Sequence, residues 1–228
     1  MRLDKWVQKC KGCGKSTARK LIASGKVMID AEVMKDSLFD VGGFHKVEIS
    51  GELVQSQEAY YLMLNKPAGC VSATVDPEHA TVIDLIDEVY AKGLHIAGRL
   101  DKESTGLILL TNDGHWSRGL TEPDEAVAKI YLVTTESEMS SKDTDLFAAG
   151  FYFAYEDITT LPSELEILEP KLARVTIYEG KYHQIKRMFH AVGNRVVALH
   201  REKVGGIELD KSLAQGSYRS LTPDEVRL

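Results

Sequence analysis

The polar turn that begins at Gly98 carries the side chain best suited to chemistry in this sequence. An Arg-Leu-Asp triplet ends at Asp101 and precedes a Ser-Thr-Gly turn, an apolar run and a second polar turn at 112–114. A carboxylate held on a turn at the end of a sheet, with Arg99 two residues away, can act as a nucleophile or as a base. The same carboxylate can equally cap the turn or form a local ion pair. Spacing alone does not choose between these alternatives.

Two cysteines near the start of the chain have the spacing of a metal or redox motif. Cys10 and Cys13 form a C-x-x-C pair, but a structural zinc site needs four ligands, and no second pair of Cys or His follows at ligand spacing. Cys10 also falls on the apolar face of the first predicted helix. We therefore expect no metal site, and the odd number of cysteines, 3, is typical of reduced thiols in the cytoplasm.

The net charge of −6 hides a strong asymmetry along the chain. Residues 1–26 contain eight Lys or Arg and one acidic residue, a net +7, and residues 174–203 contain seven Lys or Arg and two Glu, a net +5. Residues 121–170 contain twelve Asp or Glu and two Lys, a net −10. The two basic segments could form a phosphate-binding face or could be solvated surfaces, and charge alone favours neither. The histidines of the second segment have the same two interpretations: His183, His190 and His200.

The first fifty residues predict a small module of two helices and a strand pair. Apolar residues at positions 3, 6, 7 and 10 follow helical spacing. After two glycines, Ser16 or Thr17 can cap a second helix, and residues 26–33 alternate as a β-hairpin. The polar stretch GELVQSQEA at 51–59 suits a linker. We therefore predict a module at 1–52, a linker at 53–59 and a larger domain at 60–228.

The larger domain predicts several strands with few crossover helices. The apolar and β-branched runs lie at 60–64, 106–111, 130–135, 165–168, 173–178 and 195–199. Tyr182, Ile185, Phe189 and Val192 have helical spacing, which predicts an amphipathic helix with basic residues on its other face. This pattern favours an α+β fold with a mixed or largely antiparallel sheet. No apolar run approaches a membrane span and no secretory signal opens the sequence, so we expect a cytoplasmic protein without membrane contact.

Four ordered segments of the larger domain resemble one enzyme family. They are NKPAGCVSA at 65–73, GRLDKESTGLILLTNDG at 98–114, KIYLV at 129–133 and EGKYHQIKRMFHAVGNRVVALHRE at 179–202. All four are similar to the motifs of the RNA pseudouridine synthases, in particular to the small-subunit rRNA synthase A family. The first fifty residues resemble the small RNA-binding module first described in a ribosomal small-subunit protein.

The resemblance implies both a reaction and the residues that perform it. The family converts a uridine within RNA to pseudouridine, its 5-ribosyl isomer, and no cofactor or metal takes part. Its essential aspartate corresponds to Asp101, which attacks ribose C1′ or helps to form a glycal by proton removal. Its active-site tyrosine corresponds to Tyr131, its apolar base contact to Ile185 and the cation that pairs with the aspartate to Lys186, where many relatives have arginine. Arg99 is expected to open or hold the RNA helix once the base has left it.

The resemblance also implies a partner. The basic N-terminal helices are expected to contact phosphates through Lys15, Arg19, Lys20 and Lys26. The closing segments HREKVGGIELD and SYRSLTPDE resemble the small-subunit group, so we expect 16S rRNA, free or in an assembly intermediate, as the substrate of a monomeric enzyme. Two alternatives stay open at this point: a synthase that acts on 23S rRNA, and a non-catalytic RNA-binding protein of ribosome assembly.

Overall fold

The chain divides into two compact units in a computed structural model that describes residues 1–122 and 126–227. One unit comprises Met1–Ala59 and the other begins at Tyr60. The acidic segment 121–170 includes residues 123–125, which lie outside the described residues. Among the described residues, no helix has the length and apolar character that crossing a membrane requires.

The first unit packs two helices against a four-stranded antiparallel sheet. Its elements are α1 (Leu3–Lys11), α2 (Lys15–Ala23), β1 (Val27–Ile29), β2 (Glu32–Val33), β3 (Val47–Ile49) and β4 (Glu52–Gln55), with the strands in the order β2-β1-β3-β4. The predicted hairpin at 26–33 is confirmed by the pairing of β1 with β2. Strand β4 occupies the first three positions of the segment predicted as a linker, because residues 52–55 pair with β3.

The core of this unit lies between the helices and the sheet. Leu3, Val7 and Ile22 are buried against the sheet residues Val27 and Val47. Cys10 is exposed, so its predicted place on the buried face of α1 is wrong. The physical reason is that α1 ends one residue later at Lys11, where its last turn extends past the small core.

The second unit is built on one mixed sheet. Its elements in chain order are β5 (Tyr61–Lys66), a 3-10 helix (Val89–Gly93), β6 (His95–Ala97), β7 (Thr105–Thr111), α3 (Gly114–Thr121), β8 (Lys129–Thr135), α4 (Ser141–Ala149), β9 (Tyr152–Phe153), β10 (Ile158–Thr159), β11 (Glu164–Glu169), β12 (Leu172–Ile177), α5 (Gln184–Ala191), β13 (Val196–Val204), β14 (Ile207–Glu208), β15 (Tyr218–Ser220) and α6 (Pro223–Val226). The six predicted strands correspond to β5, β7, β8, β11, β12 and β13. The predicted α+β class with a mixed sheet is confirmed.

The sheet is buried on both faces at its central strand β7. Its main strand order is β11-β12-β8-β13-β7-β5-β15, with β6 paired to β7 and β14 paired to β13. Along β7, Ile108 and Leu110 belong to one apolar core, whereas Leu107 and Leu109 belong to a second core on the opposite face. A strand covered on both faces reads as a continuous apolar run. This explains the uninterrupted run at 107–110.

Helix α5 begins later than the helical spacing predicts. Tyr182 precedes the helix and is 74% exposed, so its predicted place on the apolar face is wrong. His183 has a left-handed backbone conformation with φ 48°, and the chain turns there before Gln184 starts the helix. Ile185 and Phe189 do face the core, as predicted.

A parallel strand pairing lies beside the turn that carries Asp101. Strand β13 runs parallel to β7, which pairs Arg201 with Gly106, and antiparallel to β8, which pairs Arg201 with Tyr131. The backbones approach closely here: a Cβ at Gly106 would lie 2.3 Å from the carbonyl oxygen of Arg201, and Gly106 has φ +102°. Only glycine fits this position.

We predict that Gly106→Ala lowers the free energy of unfolding by about 2–5 kcal/mol, because the methyl group overlaps backbone atoms and the φ value strains any L-residue. Chemical denaturation of the two proteins measures this difference. Gly93→Ala is the matched control, since Gly93 has no atom within 4 Å of an added Cβ and no positive φ. Equal stability of Gly106→Ala and Gly93→Ala would contradict the parallel pairing.

Candidate active site

Asp101 lies in the turn between β6 and β7 with both carboxylate oxygens directed at the start of α5. Its Oδ2 accepts a hydrogen bond of 2.6 Å from Nζ of Lys186, and its Oδ1 lies 3.4 Å from Nε2 of His183. The Asp101 side chain remains 28% exposed. The carboxylate is therefore paired with a cation and still open to a ligand.

A small recess and a larger cleft meet at this carboxylate. The recess has a volume of about 90 Å³, and all five site residues that the resemblance implies in the second unit line it: Arg99, Asp101, Tyr131, Ile185 and Lys186. The cleft has a volume of about 720 Å³ and shares Arg99, Asp101 and Tyr131 with the recess. The structure thus brings the predicted site residues of the second unit together.

Tyr131 and Ile185 form the apolar wall of the recess. Both are nearly fully buried and belong to the larger apolar core of this unit. Tyr131 thus packs in the core and also lines the recess. Because packing fixes these two side chains, the wall of the recess is rigid.

A buried lysine holds the turn on the C-terminal side of Asp101. The ammonium group of Lys66 is fully buried and donates hydrogen bonds to the carbonyl oxygens of Pro67 (3.0 Å), Lys102 (2.8 Å) and Ser104 (2.7 Å). Burial lowers the pKa of Lys66. Three carbonyl groups from two chain segments therefore converge on one charge, which fixes the backbone that follows Asp101.

A buried arginine holds the turn on the N-terminal side of Asp101. The guanidinium group of Arg201, 1% exposed, donates from Nε to the carbonyl of Leu107 (2.8 Å), from Nη2 to that of Gly98 (2.8 Å) and from Nη1 to that of Arg99 (3.3 Å). Its Cζ also lies 6.0 Å from the centre of the Tyr131 ring. One side chain thus connects the turn that carries Asp101 to the wall of the recess.

Ser72 completes the support of the turn. Its hydroxyl group donates to the carbonyl of Leu100 (2.6 Å) and accepts from the Leu100 amide (3.0 Å). Both backbone groups of the residue before Asp101 are therefore satisfied by one side chain. The position of the carboxylate is set by hydrogen bonds on both sides of it.

Three arginines of the second basic segment have partners within the fold. Arg201 is buried, Arg174 pairs with two glutamates at 3.0 Å, and Arg187 forms a bidentate pair with Glu156 at 2.7 Å. The interpretation of residues 174–203 as a phosphate-binding face is therefore wrong for these three arginines. Glutamates or backbone carbonyls of the same unit already bind these three guanidinium groups.

Cations also lie at the floor of the cleft. Lys129 is buried, and its ammonium group donates to the carbonyl of Val127 at 3.0 Å. Burial and the nearby charge of Arg201 lower the pKa of Lys129. The cleft is also lined by Arg99, Lys102 and Lys181, which can attract a polyanion, and by the carboxylates of Asp101, Glu122 and Glu179.

The basic residues predicted in the first unit lie on and after α2. Lys15, Lys20 and Lys26 are exposed and form no ion pair with any residue that the structure describes. Arg19 differs, because its guanidinium group lies 3.2 Å from the buried carboxylate of Asp4. Burial opposes ionisation of Asp4, but hydrogen bonds and charge from Arg2 and Arg19 outweigh it and lower the pKa.

Sequence reasoning missed the residues that support the site. Lys66 and Ser72 lie within the segment at 65–73, and Arg201 lies within the segment at 179–202. Both segments carry the family resemblance, but the sequence assigned no role to these three side chains. His183 was noted as a histidine of a basic segment, not as a neighbour of Asp101. Buried hydrogen bonds to backbone carbonyls leave no pattern in the sequence, so the sequence could not identify these residues as supports of the site.

Comparison with known proteins gives a consistent result. Residues 60–191 match the family model described as RNA pseudouridylate synthase. The chain is 47% identical over 227 residues to "Ribosomal small subunit pseudouridine synthase A" of Pseudomonas aeruginosa, covering 99% of both chains. It is 45% identical to the protein of the same name in Escherichia coli (strain K12), covering 99% of this chain and 98% of the relative.

A solved structure agrees with these matches. "Crystal structure of pseudouridylate synthase" superimposes with a TM-score of 0.72 at 40% sequence identity, and the match covers 99% of this chain and 98% of that chain. The resemblance seen in the sequence motifs is thereby confirmed over both units of the fold. The chain belongs to the RNA pseudouridylate synthase family.

Proposed function

We propose that this enzyme converts a uridine of 16S rRNA to pseudouridine, with Asp101 acting at ribose C1′. The observation that carries the proposal is the Asp101 carboxylate itself, which pairs with Lys186 at 2.6 Å where the recess opens into the cleft. The names of the relatives, which refer to the ribosomal small subunit, support 16S rRNA over 23S rRNA as the substrate.

The reaction is an isomerisation and balances without a second reactant. The bond from C1′ to N1 of uracil breaks, a bond from C1′ to C5 forms, the hydrogen on C5 leaves as a proton, and N1 gains a proton. No oxidant, reductant or group donor enters. The protein must therefore hold the ribose and the detached base together while the base turns, which is a matter of positioning.

The residues of the recess supply what these steps require. An ionised Asp101 either attacks C1′ or takes part in glycal formation, and Lys186 balances its charge in both cases. The ring of Tyr131 stacks on the uracil, and Ile185 gives an apolar contact on the wall of the recess. Because the target atom is inaccessible inside a duplex, the uridine has to leave the helix, and Arg99 holds the RNA opened by this step.

The first unit contributes RNA binding by charge in this proposal. Lys15, Lys20 and Lys26 project from one small unit without internal carboxylate partners, so they are available to phosphates. Arg19 has a divided role, because its guanidinium also stabilises the buried Asp4. The enzyme acts in the cytoplasm as a monomer on 16S rRNA or on an assembly intermediate of the small subunit.

Two alternatives are weaker than this proposal. A synthase acting on 23S rRNA would use the same recess, but the names of the relatives point to the small subunit. A non-catalytic RNA-binding protein would have no need to hold Asp101, Tyr131 and Lys186 around one recess with two buried cations behind it. The intact site supports an active enzyme.

We predict that Asp101→Asn binds 16S rRNA nearly as well as the wild-type enzyme and forms no pseudouridine. The amide keeps the shape of the side chain and removes the anion that acts at C1′. Release of tritium from RNA labelled at C5 of uridine measures the reaction. Asp224→Asn is the matched control, because Asp224 is 92% exposed and lies far along the chain in α6.

Near-normal tritium release by Asp101→Asn would overturn the assignment of the catalytic residue. Release from 23S rRNA in preference to 16S rRNA would show that the substrate is the alternative one. Wild-type protein that binds rRNA without any release would favour the non-catalytic alternative.

We also predict that a triple variant with Lys15→Gln, Lys20→Gln and Lys26→Gln binds RNA more weakly and with a flatter salt dependence. Each lost phosphate contact reduces the slope of log affinity against log salt by about 0.7–0.9. Filter binding at several salt concentrations gives the slope. A variant with Lys92→Gln, which removes an exposed lysine from the second unit, serves as the control.

An unchanged slope in the triple variant would locate the electrostatic contribution outside the first unit. A loss of tritium release at saturating RNA would also contradict the proposal, because charge-based binding by this unit affects affinity and leaves the chemistry in the recess unaffected.

A further inference from the structure

An exposed aromatic side chain stands beside the catalytic carboxylate without a role in folding. Tyr182 is 74% exposed and lines the cleft of about 720 Å³, whereas it does not line the recess that holds Tyr131 and Ile185. Its hydroxyl group makes no hydrogen bond among the residues the structure describes. A large ring that neither packs in a core nor satisfies a polar group is available for a ligand.

A second ring, the imidazole of His183, lies between the Tyr182 ring and Asp101. The Tyr182 ring stacks on this imidazole with ring centres 3.9 Å apart and an angle of 20° between the planes. The Nε2 atom of the same imidazole lies 3.4 Å from Oδ1 of Asp101. The two rings therefore form a short stack that starts at the carboxylate and ends at solvent.

The backbone that carries this stack is fixed at several points. The carbonyl of Tyr182 accepts a hydrogen bond from Arg187 (3.3 Å), and the same guanidinium lies 3.6 Å above the ring of Phe153 and pairs with Glu156. The carbonyl of His183 accepts from the Arg187 amide (3.0 Å). His183 also holds a φ of 48°, a conformation that costs free energy in a residue other than glycine.

A rigid, exposed ring in a cationic cleft has the properties of a nucleobase platform. Aromatic side chains that bind single-stranded RNA stack on successive bases and combine with cations that follow the backbone. Lys181, Lys102 and Arg99 supply such cations along the cleft. The target uracil belongs in the recess, where Asp101 and Tyr131 meet, so the ring outside the recess suits a neighbouring base.

We propose that Tyr182 stacks on the base next to the target uridine and holds the opened RNA strand in register with Asp101. This inference rests on the proposed function and adds to it a subsite for one flanking base. Stacking accepts any base, so the subsite positions the strand without reading its sequence. The Tyr182 hydroxyl has no part in it.

The test compares KM and kcat for Tyr182→Leu and Tyr182→Phe on a fragment of 16S rRNA labelled with tritium at C5 of uridine. Tyr182→Leu is expected to raise KM about tenfold with kcat changed by less than about twofold, because one base stack is lost. Tyr182→Phe keeps the ring and is expected to match the wild-type enzyme. Tyr155→Leu is the matched control, since Tyr155 is 96% exposed and lies outside the lining of the cleft.

A second arm locates the stacking partner. The same fragment is prepared with an abasic residue on the 5′ side or on the 3′ side of the target uridine. One of these two changes is expected to raise KM for the wild-type enzyme about tenfold and to remove the difference between wild type and Tyr182→Leu, because each change deletes one member of the same pair.

Three results would overturn the proposal. They are an unchanged KM for Tyr182→Leu, a KM for Tyr182→Phe raised as much as for Tyr182→Leu, and a Tyr182→Leu penalty that persists on both abasic substrates. Absence of tritium release by the wild-type enzyme would instead overturn the proposed function, and the inference with it. Circular dichroism of Tyr182→Leu should match wild type, since the side chain is exposed.

Discussion

Two buried cations, which have no carboxylate partner among the described residues, fix the geometry around Asp101. Removing an ammonium or a guanidinium group from water costs several kcal/mol unless hydrogen bonds replace the lost solvation. Lys66 and Arg201 recover it from backbone carbonyls: those of residues 67, 102 and 104 for Lys66, and those of residues 98, 99 and 107 for Arg201. Since four of these carbonyls, those of residues 98, 99, 102 and 104, flank Asp101 in the chain, the hydrogen bonds that solvate the two charges also fix the turn that carries Asp101. The turn would otherwise be a polar surface loop.

The sheet topology makes this arrangement possible. Strand β13 lies between β7 and β8, so Arg201 is opposite Gly106 on one side and Tyr131 on the other. The parallel contact with β7 brings the guanidinium beneath the turn that precedes that strand. The absence of a side chain at Gly106 lets the backbones approach. The position of Arg201 in the sheet thereby links Tyr131 to the turn that carries Asp101.

Sequence patterns predicted the strands well because their signals are local. Apolar runs such as 107–110 reflect burial on both faces, and they locate β7 without further information. Asp101, Tyr131 and Lys186 were grouped through the family resemblance, because their positions are far apart in the chain. Their contact in one recess depends on long-range strand pairing, which periodicity does not encode.

The errors also have physical causes. Helical spacing placed Tyr182 in α5, but the left-handed turn at His183 starts the helix after it. Charge counting left open whether residues 174–203 are available to phosphate; in the structure, glutamates pair with Arg174 and Arg187, and carbonyl groups solvate the charge of Arg201. A count of charges contains no information about their partners. For the same reason, the count did not show that Lys66 binds the carbonyl groups around the turn.

The most direct test of this account is hydrogen exchange at two backbone amides in wild-type protein, in Lys66→Met and in the control Lys92→Met. The Ser104 amide donates to the carbonyl of Asp101, and the Gly69 amide donates to that of Lys102, so both report whether the turn is closed. We predict that Lys66→Met accelerates exchange at both amides at least about tenfold, because two or more charged hydrogen bonds are lost. Lys92→Met should leave both rates unchanged. Equal protection of these amides in Lys66→Met and wild type would show that the buried ammonium does not hold the catalytic turn.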